Sequence, residues 1–167
     1  LAGRADSGAA RLMHPRAVEL IALLQLQAHP EGGYYRRLFE SAECLPSGRL
    51  LSSSIIFLLP GGHVSRWHRV DADELWHFYE GAPLELLIAD SPAAIERQLL
   101  GPVAAQVLPQ RAVRAHAWQA ARPLGDFSLV GCTLAPGFEF AGFTLLADQP
   151  QVQRDWPLLA REHPDLQ

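Results

Sequence analysis

The segment between Gly62 and Gly81 carries a histidine and a glutamate at a spacing that suits a shared pocket. His68 precedes Glu74, and a short acidic turn separates them. Side chains on a strand alternate between its two faces. A hairpin that turns its even-numbered residues inward directs both groups into one cavity. There the imidazole and the carboxylate form an acid/base pair or part of a divalent-metal site. Taken alone, the two residues favour a core histidine bonded to a glutamate.

The neighbours of this pair follow the same alternation. Trp76 and Phe78 share the face of Glu74 and form either core or the stacking walls of a ligand cavity. His77 falls on the opposite face, and only a β-bulge turns it inward. His29, His63 and His116 lie at turns or at the ends of elements, which favours capping or exposed roles.

The elements that position these residues are mostly strands. One amphipathic helix is predicted over residues 15–27, and a short closing helix over 157–162. Between them, turn residues separate short apolar runs at the spacing of an all-β sandwich or barrel. The predicted strands cover residues 34–40, 50–59, 64–69, 74–80, 84–90, 95–100, 105–108, 112–116, 127–134 and 138–145.

The sequence predicts one domain over residues 13–167, preceded by a disordered leader or cloning remnant over residues 1–12. Several strands are apolar on both faces, so one face lines an interior and the other needs cover by a second sheet, a helix or a partner chain. The need for such cover predicts a homodimer.

Composition excludes several functions. The 14 basic residues are all arginine and the net charge is −4, which excludes Schiff-base lysine chemistry and argues against nucleic acid as a partner. The central apolar run over residues 55–59 is too short for a bilayer, so no membrane association is expected. Cys44 and Cys132 have no metal or dithiol spacing, and a cytoplasmic location is expected. The adjacent pair Arg36 and Arg37 favours a solvated strand end over a phosphate site.

Four separated blocks carry a family resemblance. They are HPEGGYYRR at residues 29–37, WHRVDADELWHFYEG at 67–81, WQAA at 118–121 and VGCTLAPGFEF at 130–140. The chain resembles the cupin superfamily and, more narrowly, its uncharacterised DUF985 (Cupin_5) group. The resemblance implies an all-β fold, a double-stranded β-helix or cupin jelly-roll barrel.

The resemblance also shows where a metal site is incomplete. Val70 stands where metal-dependent cupins have a second histidine, and Gln119 stands where they have the last one. The set is reduced to His68, Glu74 and Gln119, with His77 as a further donor only if it turns inward. One imidazole, one carboxylate and one amide suit Zn²⁺ or Fe²⁺ poorly, so no metal and no other cofactor is expected.

The predicted ligand-binding residues share either the barrel interior or its mouth. They are Tyr35, His68, Arg69, Glu74, Trp76, Phe78, Trp118 and Gln119. Arg69 is assigned to an anionic group of the ligand, and Tyr35 follows a Gly-Gly turn that fits the barrel mouth.

These observations support several functions. The first is the binding of a small polar molecule, such as a sugar or nucleotide-like compound, inside the barrel. The second is a metal-independent isomerase or epimerase in which His68 is the base and Glu74 orients it. A divalent-metal cupin enzyme and a barrel filled by its own side chains are further alternatives, so the sequence leaves open whether the protein is an enzyme.

Overall fold

The computed structural model describes residues 13–167, apart from the side chains of Ala160 and Glu162. The leader predicted over residues 1–12 lies outside the described residues. The helices are α1 (Pro15–Leu24), α2 (Pro150–Asp155) and α3 (Pro157–Glu162). The strands are β1 (Gln27–Ala28), β2 (Tyr34–Glu40), β3 (Ser53–Pro60), β4 (Ser65–Val70), β5 (Asp73–Gly81), β6 (Leu84–Ser91), β7 (Ala94–Leu100), β8 (Val107–Leu108), β9 (Gln110–Val113), β10 (Trp118–Pro123), β11 (Phe127–Ala135) and β12 (Phe143–Leu145).

The strands form two six-stranded sheets that enclose the core. The first sheet has the order β1-β2-β3-β11-β5-β9, and the second has the order β12-β4-β10-β6-β7-β8. Neighbouring strands are antiparallel except for β7 and β8. This arrangement confirms the predicted all-β jelly-roll fold.

Strands β4 and β5 do not form the hairpin that the sequence suggested. Strand β4 pairs with β10 and β12 in the second sheet, whereas β5 pairs with β11 and β9 in the first. The turn between them crosses from one sheet to the other. His68 and Glu74 therefore approach each other across the interior rather than along a hairpin.

Helices cover part of the outer face of each sheet. Helix α1 packs Ala17 and Leu20 against Ile56 and Leu58 of the first sheet. On the second sheet, the C-terminal segment buries a cluster that includes Trp118. The apolar outer positions of these strands thus gain cover from the chain itself. Within the described residues, no helix is long and apolar enough to cross a membrane.

Several elements differ from the prediction. Strand β1 and helix α2 were not predicted, and the strand predicted over residues 112–116 is β9 at Gln110–Val113. Three further differences have a local cause. Helix α1 ends at Leu24 because Gln25 adopts a left-handed conformation with φ 54°. Strand β10 was missed: its first four residues are all buried, so it lacks the alternation that reveals a half-exposed strand. The strand predicted over residues 138–145 is confined to Phe143–Leu145, because a 3-10 turn occupies Phe140–Gly142.

Candidate functional site

A cavity of about 390 Å³ opens between the two sheets beside the packed inner core. Its polar lining is concentrated in His29, Glu31, His68 and Glu74. The remaining lining residues are Gln27, Tyr35, Arg36, Arg37, Ser53, Ile55, Val70, Cys132, Leu134, Phe138, Phe140 and Phe143. This volume lies in the lower part of the range typical of small-molecule sites.

His68 is held in one orientation at the floor of the cavity. Its Nδ1 lies 2.7 Å from the carbonyl oxygen of Arg66. Because a carbonyl oxygen only accepts, Nδ1 carries the hydrogen, and the lone pair of the neutral ring is on Nε2. Burial lowers the pKa of His68, while the charge of Glu74 acts in the opposite sense. The neutral imidazole therefore presents an acceptor nitrogen to the cavity.

Glu31 is the nearest polar partner of that nitrogen. Its Oε2 lies 3.3 Å from Nε2 of His68, and its Oε1 accepts a hydrogen bond of 2.8 Å from the Ser65 hydroxyl. Burial raises the pKa of Glu31, so a protonated Glu31 can donate to the His68 acceptor. The sequence analysis assigned no role to Glu31.

The loop that carries Glu31 approaches β4 closely. At Gly32, with φ +113°, an added Cβ would lie 2.0 Å from the carbonyl oxygen of Val64. Glycine is required there both for the left-handed backbone and for the contact. The Gly32-Gly33 pair directly after a glutamate was the available signal for this residue.

His29 caps its turn, as expected, because its Nδ1 accepts a 3.3 Å hydrogen bond from the backbone N–H of Glu31, but the exposed role expected for it is wrong. Its side chain is only 7% exposed and lies with Nδ1 3.6 Å from Oε2 of Glu31. The ring meets the edges of Tyr35 and Phe57, at centroid distances of 4.5 and 5.8 Å. Its loop folds over the cavity, and a turn position does not reveal such a long-range contact. Burial lowers the pKa of His29.

Glu74 lines the same cavity, but its carboxylate is hydrogen-bonded to a buried residue that does not line it. Its Oε2 accepts from Nε2 of Gln119 at 2.5 Å, and Oε1 of Gln119 accepts from the Trp76 indole at 3.0 Å. Gln119 and Trp76 are fully buried and do not line the cavity. Burial raises the pKa of Glu74.

The other predicted ligand-binding residues lie in three places. Tyr35 lines the cavity, whereas Phe78 packs against the inner core. Trp118 and Arg69 lie on the outer face of the second sheet, with the guanidinium 5.0 Å from the indole centroid. The prediction that these two residues lie inside the barrel is wrong. Arg69 follows the inward His68 and Trp118 precedes the inward Gln119, and neighbours on a strand point to opposite faces. His77 is half-buried and lies outside the cavity.

An aromatic strap, residues 137–143, forms one wall that the sequence did not predict. The rings of Phe138, Phe140 and Phe143 contact one another with centroid distances of 5.0 to 6.3 Å. The Phe143 ring lies 5.5 Å from the ring of His68. Arg49 holds the base of the strap by donating from Nε to the Gly137 carbonyl oxygen at 2.7 Å.

Compared with the donor set expected from the sequence, the cavity contains a second imidazole, His29, and a second carboxyl, Glu31. Glu31 faces His68 and His29 directly, and both functions of the Gln119 amide are occupied by Glu74 and Trp76. Among the residues that the structure describes, no three His, Cys, Asp or Glu side chains form a metal-binding group. The same groups can hydrogen-bond a polar molecule and transfer protons.

Two facing antiparallel sheets around a polar cavity define a jelly-roll barrel of the cupin class. The family model described as Cupin superfamily (DUF985), or Cupin_5, matches residues 18–146. The chain belongs to this family.

Solved structures agree with this assignment. A protein of Shewanella oneidensis is 36% identical, with 89% of this chain and 94% of that chain covered and a TM-score of 0.82. A hypothetical protein from Leishmania major is 29% identical over 84% and 92% of the two chains, with a TM-score of 0.76. Oxalate decarboxylase from Bacillus subtilis is 15% identical over 84% of this chain and 36% of its own, with a TM-score of 0.59, and shares the fold. A search of the curated proteins finds no match.

Proposed function

We propose that the protein binds a small polar molecule, of the sugar or nucleotide-like type, in the barrel cavity. The observation that carries the proposal is the oriented His68. Its Nδ1 is fixed by the Arg66 carbonyl oxygen, and its Nε2 faces the cavity beside Glu31. A ligand that comes between the two groups can donate to Nε2 of His68 and accept from the carboxyl of a protonated Glu31.

The walls support a ligand with a ring. Tyr35, Phe138 and Phe143 line the cavity, and aromatic side chains bind the faces and edges of rings well. The volume of about 390 Å³ leaves space for a compact molecule beside these side chains. A ring with hydroxyl or carbonyl substituents satisfies both the walls and the floor.

A thermal-shift screen tests the binding proposal. The panel contains monosaccharides, nucleosides, nucleoside monophosphates and sugar nucleotides, each with wild type, His68→Ala and the control His63→Ala. A ligand at about 100 times its Kd stabilises the folded state by about 2.7 kcal/mol, which is roughly 5–10 °C for a domain of this size.

The control His63→Ala is the same substitution as His68→Ala, but at a position away from the cavity. His63 is exposed and lies outside the cavity, so its variant should retain every shift that wild type shows. His68→Ala should lose the shift. A panel in which no stabilising compound depends on His68 refutes the proposal.

The same floor supports a second candidate, a metal-independent isomerase or epimerase. The supporting observation is that the neutral Nε2 of His68 and the carboxyl of Glu31 are 3.3 Å apart, so one group accepts a proton while the other donates one. Glu31 takes the partner role that the sequence assigned to Glu74. Incorporation of solvent deuterium into a bound sugar or sugar nucleotide tests this; a panel without exchange counts against it.

Two further proposals concern the oligomeric state and the cellular location of the protein. A homodimer is supported by apolar side chains on the outer side of the first sheet, where Leu75 and Tyr79 are 37% and 54% exposed. Light scattering on the purified protein measures the oligomeric state directly, and a monomeric mass contradicts it. A cytoplasmic location agrees with two free cysteines, and fractionation of the source cells tests it.

A further inference from the structure

Arg37 lies where the cavity meets solvent. In the pairing of β2 with β3, Arg37 stands opposite Ile55, and both residues line the cavity. Arg37 lies two residues after Tyr35 on β2, so the two side chains share the inner face of the sheet. Its side chain is 36% exposed, which places the guanidinium at the mouth.

The neighbouring Arg36 faces the other way. Its Nη1 donates to the carbonyl oxygen of Leu24 at the end of α1 at 3.2 Å, on the outer side of the first sheet. Although Arg36 also borders the cavity, its charged group is directed toward the helix. Strand alternation therefore singles out Arg37 as the cation for a bound molecule.

The existing partner of Arg37 leaves most of its hydrogen-bonding capacity free. Nη1 donates to Oε1 of Glu40 at 2.7 Å, and the Glu40 side chain is 53% exposed. Exposed ion pairs of this kind contribute little to stability. A guanidinium has five N–H donors in a planar fork, so a ligand anion can bind without displacing Glu40.

The two ends of the cavity favour different groups on the ligand. Glu31 and Glu74 are buried at the floor, where an anion would lose its water beside two acidic groups. At the mouth, an anion remains partly hydrated and meets a fork that matches carboxylate and phosphate. A neutral hydroxyl or carbonyl group suits the floor instead.

We propose that the cavity selects a ring compound with an anionic group, carboxylate or phosphate, that Arg37 binds at the mouth while a neutral polar group reaches His68. This inference rests on the proposed ligand-binding function. It replaces Arg69, which lies on the outer face, as the residue for a ligand anion.

Matched pairs of compounds test the inference by calorimetry. The probes are galacturonate with galactose, glucose 6-phosphate with glucose, and hydroxybenzoate with hydroxybenzamide. At least one anion should bind wild type about tenfold more tightly than its neutral twin, as a charge-assisted bond at a partly exposed site allows. The carboxylate and phosphate arms show which anion is preferred.

Three variants locate the effect. Arg37→Gln should reduce the preference to less than about threefold, Arg36→Gln should reduce it less, and Arg154→Gln, which removes an equal charge on α2, should leave it unchanged. Equal binding of both twins by wild type, a preference that survives in Arg37→Gln, or a preference lost only in Arg36→Gln overturns the inference. If neutral probes still bind in a His68-dependent way, the proposed function stands; if no probe binds, both fail.

Discussion

Replacing Gln119 by leucine is expected to destabilise the protein strongly. Gln119 is fully buried, accepts from the Trp76 indole at 3.0 Å and donates to Glu74 at 2.5 Å. Leucine has a similar volume, so packing changes little, but both partners lose their hydrogen bonds inside the barrel.

The magnitude follows from the two partners left behind. An unsatisfied buried N–H costs about 1–3 kcal/mol, and a buried carboxyl without its donor costs at least as much. Together they give a loss of roughly 2–5 kcal/mol from a typical stability of about 5–15 kcal/mol. Urea unfolding at neutral pH measures the free energy of unfolding, and an unchanged m value shows that the folded and unfolded states are otherwise comparable.

A double-mutant cycle checks the source of this loss. Trp76→Phe removes the indole N–H, so Gln119→Leu should cost about 1 kcal/mol less in that background than in wild type. Gln98→Leu on β7 is the control, because its amide bonds only the exposed Glu96, and it should change stability by less than about 0.5 kcal/mol. A cost below about 1 kcal/mol for Gln119→Leu, or one independent of Trp76, refutes the reasoning.

Three further predictions follow from the same structure. Burial lowers the pKa of His68 from 6.5, so this group binds fewer protons in the folded than in the unfolded protein and opposes folding as the pH falls below 6.5. The raised pKa values of Glu31 and Glu74 act in the opposite sense. In urea unfolding, the stability of wild type relative to His68→Gln should therefore fall between pH 6.5 and the lowered pKa. Arg49→Gln removes the hydrogen bond to the Gly137 carbonyl oxygen, so amide hydrogen exchange in the aromatic strap should accelerate while β11 stays protected; equal exchange in both proteins contradicts this role. Trp118→Phe on the outer face should retain every ligand-induced thermal shift, and loss of those shifts contradicts its placement.

Most strands of the barrel can be predicted from the sequence. Regions such as β2 and β6 begin where the sequence analysis placed them, because apolar alternation and turn residues are local properties. Strand β10 was missed because its cover comes from both sides. Trp118 packs outward with the C-terminal segment, whereas Gln119 bonds to inward residues. A strand that is buried on both faces has no alternation of apolar and polar residues by which the sequence could reveal it.

The sequence by itself determined the fold class, the family and the placement of His68 and Glu74 in one interior. Only the tertiary structure decided which groups touch. A period of two tells which residues share a face, but not which face lies inside or which strands pair. Glu31 and His29 reach His68 from a loop that approaches β4 through the contact of Gly32 with Val64. Loops have no periodicity, so the residues that complete the site became visible only when distant parts of the chain were brought together.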